Sequence, residues 1–298
     1  MNPQDEYIHE YPRHLDSPWK ENWYFNFIDR KNRAWGFNHI SLMQHIHKGR
    51  FTAIHVVDDE IIPYSKVIDI EGLKETTDGT LTFEFIEPFK MFRVTFNGPR
   101  HQIALTYDAL FPVCYYGKPT PEAKALSVEH YRQSLIARGT LTKDGKTRPI
   151  ECYCDRDHTW GYRDEGMLTG WNWVGAYFPR KTVNLNRILV GKEAFGAGFV
   201  STAQGHSRVT RLEVRDTRFV NGSPVSAIYT GYDREGRVLA TLKSEMFSSL
   251  CLPMQDKENM VIYENFSEFV DLETGEKADG VDEYLISPNE PYHESPGI

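Results

Sequence analysis

Cysteine is scarce in this chain: Cys114, Cys152, Cys154 and Cys251 are the only four in 298 residues. That is too few for a disulfide framework, and Cys152 and Cys154, two apart on a β-like stretch, point to one face rather than at each other. Reduced thiols are the simplest reading. A zinc site built from Cys152, Cys154 and His158 lacks the usual two-residue spacer and a second Cys/His pair, so no metal is expected. Sustained Lys/Arg runs are missing too, and the net charge is −8. The sequence-independent attraction to phosphate is therefore absent, which excludes DNA and RNA as expected partners. No apolar run is long enough to span a bilayer, and the opening "MNPQDEYIHEYPRHLDSPWKEN" has neither the basic nor the apolar region of a secretory signal. The expectation is a soluble, cytoplasmic protein. No phosphate-cradling glycine loop is visible either: "GAGFVS" sits in a β context without the helix such a loop needs, so no cofactor is expected.

What is present is β pattern and aromatic bulk. Hydrophobic residues make up 40% of the chain and aromatics 13%, enough large side chains to line a cavity as well as fill a core. Asp78-Gly79, Asp144-Gly145 and Asn221-Gly222 fit two-residue hairpin loops that need positive φ, with Glu235-Gly236 and Thr274-Gly275 as weaker versions. Around them lie alternating runs such as "TLTFEFIEP" with "KMFRVTFNG", and "LIARGTLT" with "TRPIECYC". Helical periodicity is confined to "TPEAKALSVEHYRQSL", where Thr120 could cap a short helix. No internal repeat is visible. A mostly antiparallel chain of this length must hide its sheet edges, so the reading is all-β, with two antiparallel β-barrel or sandwich domains and few short helices. The Pro-bearing connection at 112–128 places the domains at 1–120 and 121–298.

The strand "NWYFNFIDR" puts Trp23, Phe25 and Phe27 on one face and Tyr24, Asn26 and Ile28 on the other. Neither face is plainly solvent-like, which suits a core on one side and a pocket or second domain on the other. "GWNWVGAYF" repeats the pattern with Trp171, Asn172, Trp173 and Tyr177. Between the strands ending near Cys154 and beginning near Trp171 lies "DRDHTWGYRDEG", read as a polar crossing near the domain interface, where a rigid β scaffold tends to carry chemistry. Asp157 and His158 offer an acid and a base near neutrality, and Gly161 would permit a tight turn. The alternative is a salt-bridged clamp in which Arg156 and Arg163 neutralise Asp155, Asp157 and Asp164.

The run "RGTLTKDGKTRPIECYCDRDHTWGYRD" resembles the most recognisable segment of the carotenoid 1,2-hydratase (hydroxyneurosporene synthase) superfamily, with its Asp-His-Ser/Thr-Trp-Gly signature at Asp157, His158, Thr159, Trp160 and Gly161. "ENWYFNFID" and "GVDEYLISP" are similar to that superfamily's first and closing strands. The resemblance implies two lipocalin-like β domains with a hydrophobic pocket at or between them. It also implies activities that range over hydration of isoprenoid double bonds, hydration of the prenylated flavonoid kievitone and fungal Diels-Alder cyclisation. A fold follows from it more firmly than a reaction.

The function expected first is a cofactor-independent lyase of the hydratase/dehydratase kind acting on a hydrophobic aromatic or isoprenoid molecule. Asp157 would be the acid and His158 its relay, with Tyr24 as a further catalytic candidate. Trp160, Tyr24 and Trp171 could stabilise a cation through their faces. Trp173, Asn26 and His39 complete the expected substrate-binding set, while Arg163 would hold Asp164. An isomerase or pericyclase that fixes a reactive conformer, and a lipocalin-like carrier without chemistry, remain alternatives.

Overall fold

The computed structural model describes residues 1–11, 18–116, 128–162, 168–191, 193–254 and 259–287, together with Tyr292 and Glu294. The chain divides into two compact units, Met1–Asp164 and Glu165–Ile298. This moves the division from 120 to 164/165. The reason is pairing: the two longest strands of the first sheet come after residue 127.

The first unit contains β1 (Trp19–Asp29), β2 (Ala34–Met43), β3 (Lys48–Val57), β4 (Glu60–Asp69), β5 (Leu81–Glu87), β6 (Met91–Asn97), β7 (His101–Ala109), the short β8 (Cys114–Tyr115), β9 (Val128–Lys143) and β10 (Lys146–Tyr162). They form one curled antiparallel sheet in the order β4-β3-β2-β1-β10-β9-β7-β6-β5, with β8 also paired to β9. Its two outer edges are tied by side chains: Tyr64 of β4 donates to Asp78, and Lys66 to the Asp78 carbonyl, in the turn leading into β5. The inner face holds Trp23, Phe25, Phe27, Phe51, Phe83, Phe92 and Leu135. Each such side chain contributes about 1.5 to 3 kcal/mol by leaving water.

The second unit contains β11 (Leu168–Tyr177), β12 (Thr182–Val190), β13 (Glu193–Thr202), β14 (Gly205–Val209), β15 (Arg211–Val220), β16 (Ser223–Tyr232), β17 (Val238–Pro253), β18 (Val261–Asp271) and β19 (Lys277–Ile286). Its order is β14-β13-β12-β11-β19-β18-β17-β16-β15, around a core that includes Val174, Leu185, Leu212, Leu242 and Phe269. Apart from β8, the two units thus share one strand order. In each, three strands run outward in chain order from the first, which pairs with the last. No sequence period announces this, because the repeated quantity is the pairing order and not the side chains.

Two of the three strongest hairpin signals are used as read, whereas Asp78-Gly79 lies in the connection between β4 and β5, with only Gly79 at positive φ, 86°. Asp144 and Gly145 take φ of 51° and 73° between β9 and β10, and Asn221 and Gly222 take 51° and 80° between β15 and β16, the conformation a two-residue loop requires. Two expectations change. The helical reading is strand from Val128 onward, as part of β9, and its earlier residues lie outside the described ones. The stretch 154–162 is not a loop: it continues β10, in register with β1 and β9, and Gly161 lies within that strand rather than at a turn. Its ionisable groups are tolerated in a strand because partners from other elements neutralise them.

Candidate functional site

Strand alternation sorts the acidic stretch onto two faces. In the β1–β10 register Phe25 lies opposite Arg156, Trp23 opposite His158 and Glu21 opposite Trp160. Trp23 and Phe25 belong to the core, so Arg156, His158 and Trp160 share the inner face with them. Asp155 and Asp157 face the other way.

On the inner face a buried polar network gathers around an N-terminal arm. The arm opens with a 3₁₀ turn, Pro3–Glu6, capped by Asn2, and delivers Glu6 and His9 to the barrel. Glu21 Oε1 lies 2.7 Å from His9 Nδ1 and 2.9 Å from His158 Nε2, while Glu21 Oε2 accepts from the His9 backbone N–H at 3.0 Å. His158 Nδ1 is 3.0 Å from the Tyr131 hydroxyl, which is also 2.8 Å from Glu6 Oε2. The Arg156 guanidinium closes the network with a bidentate pair to Glu6, at 2.5 and 2.7 Å. Aromatic planes fix the imidazoles: His158 stacks on Trp23 at 4.5 Å between centroids, and His9 on Trp160 at 4.2 Å.

Charge in this network follows from partners. Burial pushes the Glu21 carboxyl up, but hydrogen bonds from His158 and His9, together with their charge, outweigh it and hold the group below the usual carboxylate range. Glu6 is likewise held low: burial raises it, and the charge and hydrogen bonds of Arg156, with His158 and Tyr131, overcome that. His158 is lowered, chiefly by burial, against the pull of Glu21. A neutral His158 that donates Nε2–H to Glu21 presents Nδ1 as an acceptor, so the single Tyr131 proton has two acceptors within reach.

His9 links this interior to solvent. Its side chain is 22% exposed, and with Trp160, Tyr115, Glu129, Asp5, Asn2 and Met1 it lines an open pocket of about 430 Å³. Nδ1 of His9 is engaged by Glu21, which leaves Nε2 as the remaining ring nitrogen. His9, Glu21 and His158 are also the group of described residues whose donor atoms, all within 4.8 Å of one another, could surround a metal ion. Their hydrogen-bonded spacings of 2.7 and 2.9 Å are shorter than the roughly 3.3 Å between tetrahedral ligands at usual zinc bond lengths. The spacing therefore fits a shared-proton triad.

The other predicted residues lie elsewhere. Tyr24 is in register with both Asp157 and His39, so these three share a row on the outer face of the first sheet, one step from Asn26. Asp157 Oδ2 is 3.9 Å from His130 Nε2. The Tyr24 ring stacks on Phe37, and Asn26 Oδ1 accepts from the Asp155 backbone N–H at 3.1 Å. Asp155 pairs with Arg132 at 2.6 Å, yet burial lifts its carboxyl to about 6. Trp171 and Trp173 stand on β11 in the second unit, where Trp171 Nε1 donates to Glu283 at 2.5 Å. Arg163 and Asp164 lie outside the described residues. The sequence reading missed His9, Glu21, Glu6 and Tyr131. One signal was available: Glu21 is in phase with Trp23, Phe25 and Phe27, so it had to point inward with them.

Comparison with solved structures places this fold. The chain matches a candidate AttH from Nitrosomonas europaea with a TM-score of 0.72 at 12% identity, covering 96% of both chains. It matches CghA in complex with Sch210972 with a TM-score of 0.67 at 13% identity, over 92% of this chain and 90% of that one. Kievitone hydratase from Nectria haematococca matches with a TM-score of 0.61 at 12% identity, over 91% and 89%. The all-β, two-domain lipocalin-like architecture is thus shared with these solved structures. No curated protein matches in sequence. Over residues 2–285 the chain matches, and so belongs to, the family described as a domain of unknown function, DUF7064.

Proposed function

We propose that the protein is a cofactor-independent lyase of the hydratase/dehydratase type, acting on a hydrophobic small molecule at the pocket walled by His9 and Trp160. The observation that carries this reading is the Glu21 carboxylate shared by two histidines, one of which reaches the pocket. An acid–base group needs a fixed orientation and access to substrate; the bond to Glu21 orients His9, and the pocket gives it access.

In dehydration, protonated His9 gives its pocket-side proton to the substrate hydroxyl; the C–O bond breaks and water departs. The Trp160 face stabilises the carbocation left behind. His9, now neutral, takes a proton from the adjacent carbon, and the C–H electrons form the alkene. Hydration runs through the same steps reversed. Glu21 holds the imidazole in one orientation through its bond to Nδ1, and His158 supports Glu21 from behind. Fold likeness to kievitone hydratase agrees with this chemistry at the level of reaction type.

In this reading Asp157 is not the acid, because its carboxylate lies on the opposite face of β10 from His158. The test is exchange of ¹⁸O from water into a panel of hydrophobic tertiary and benzylic alcohols. His9→Gln should lower exchange by about 10² to 10⁴-fold, the usual scale of general acid–base catalysis, while Asp157→Asn should change it by less than about tenfold. The opposite ranking would move the chemistry to the outer row of Asp157, Tyr24 and His39.

A further inference from the structure

The Glu6 carboxylate sits in a receptor that the barrel builds without it. Oε1 accepts from Arg156 Nη2 at 2.5 Å and from the Phe89 backbone N–H at 2.8 Å; Oε2 accepts from Arg156 Nη1 at 2.7 Å and from the Tyr131 hydroxyl at 2.8 Å. The donors come from β10, from β9 and from the β5–β6 turn. Each is held by something other than Glu6. Gln133 Oε1 accepts from Arg156 Nε and Nη2 at 3.2 and 2.9 Å, and the guanidinium lies 4.0 Å from the centroid of the Phe92 ring. Gln133 Nε2 donates to the Phe89 carbonyl at 2.6 Å. Phe89 has a φ of 60°, a left-handed conformation that is unfavourable for a bulky side chain and that aims its N–H at the carboxylate.

We infer that this is a ligand site for a lipophilic monocarboxylic acid, filled in this structure by the arm's own Glu6. The arm resembles such a ligand in chemistry. Next to the carboxylate, Tyr7 packs its ring edge-on to Phe85, and Ile8 packs against the core. Met1, Asn2, Asp5 and His9 supply much of the pocket lining, so displacing the arm joins the pocket to the position Glu6 vacates. A fully buried Arg156 cannot be left without an anion, which selects a carboxylate over a neutral molecule of equal shape. Because Glu6 is tethered, it competes at an effective concentration of order millimolar, and a free acid must overcome it. The site does not depend on the lyase reading but shares its pocket and arm, so its occupation would withdraw His9 from Glu21.

The test uses decanoate and 1-decanol as charged and neutral probes of similar length, titrated against the full chain by tryptophan fluorescence. Glu6→Gln should bind decanoate about tenfold or more tightly than the native chain, because its internal competitor is weakened, with no such gain for decanol. A folded Glu6→Gln whose decanoate affinity stays within about twofold of native, or whose gain is equal for decanol, would overturn the inference. If the variant folds only with help, recovery by decanoate and not by decanol supports the site, and recovery by neither overturns it. In the native chain, saturating decanoate should speed hydrogen exchange of the amides at 4–9; bound decanoate with unchanged protection there would place the acid elsewhere and sink the proposal.

Discussion

Replacing Glu21 by Gln keeps its shape but removes the anion that His9 and His158 share. Two charge-assisted hydrogen bonds become neutral ones, so the expected loss of folding stability is about 1 to 3 kcal/mol. Turnover should fall further, by about 10²-fold or more, since His9 loses the carboxylate that orients it at the pocket. Urea unfolding and the ¹⁸O exchange assay read the two effects separately; a variant with native exchange would remove Glu21 from the mechanism. The acid response of this residue has a fixed sign. Its folded pKa is depressed below the ordinary 4.5, so its stabilising contribution is present above that value and disappears as pH falls through the folded pKa. Glu6 behaves in the same way.

At the scale of elements, β9 and β10 supply Tyr131, Arg156, His158 and Trp160 to the site, and β9 packs closely against β7. Gly139 in β9 has a φ of 156°, and a Cβ there would stand 2.0 Å from the carbonyl oxygen of Ala104 on the neighbouring β7. Backbone cannot yield as a flexible side chain would. Gly139→Ala should therefore destabilise the first unit by about 2 to 4 kcal/mol, measured as a lower urea midpoint at unchanged slope. An unaltered midpoint would mean that β7 and β9 separate easily. Along 154–162 the charges are not paired among themselves as a clamp would have them: Arg156 pairs with Glu6 and Asp155 with Arg132, whereas His158 joins the network with Glu21.

Across the whole molecule, the two units repeat one strand order but fill their interiors with different polar chemistry. In the first, His55 and His101 meet at 2.6 Å, and His101 is lowered to about 4, by burial first and then by Lys143 and Arg100. A depressed histidine stabilises fully above its ordinary 6.5 and progressively less as pH falls towards 4. His101→Gln should flatten that part of the acid response, and an unchanged slope between those values would refute it. In the second unit, Asp282 accepts from Tyr229 and Ser244, both at 2.6 Å, yet burial raises its carboxyl from 3.8 to about 6. A raised carboxylate has the opposite sign: its favourable contribution is complete below 3.8 and lost as pH rises through about 6. Relative to the native chain, Asp282→Asn should become more stable by about 3 kcal/mol on going from pH 3.8 to pH 7, as thermal melts at the two pH values would show. A constant difference would contradict the buried-charge account.

Local chemistry determined much of this protein from the sequence alone. Asp144-Gly145 and Asn221-Gly222 specify tight hairpins because their backbone conformations favour those residues, and the period of two in "NWYFNFIDR" fixes which side chains face the core. The all-β class and the inward aromatic face follow from such short-range rules. Other features depend on partners distant in sequence, which no local pattern records. Residues 154–162 read as a loop because a strand rich in charge is unfavourable by itself; Glu6, Glu21 and Arg132 make it favourable from 23 to 150 positions away. The division at 164/165, the shared strand order and the meeting of His9 with His158 were decided in the same way. They depend on which strands pair across the chain, and pairing is a property of the assembled sheet, whereas alternation and turn chemistry belong to the segment.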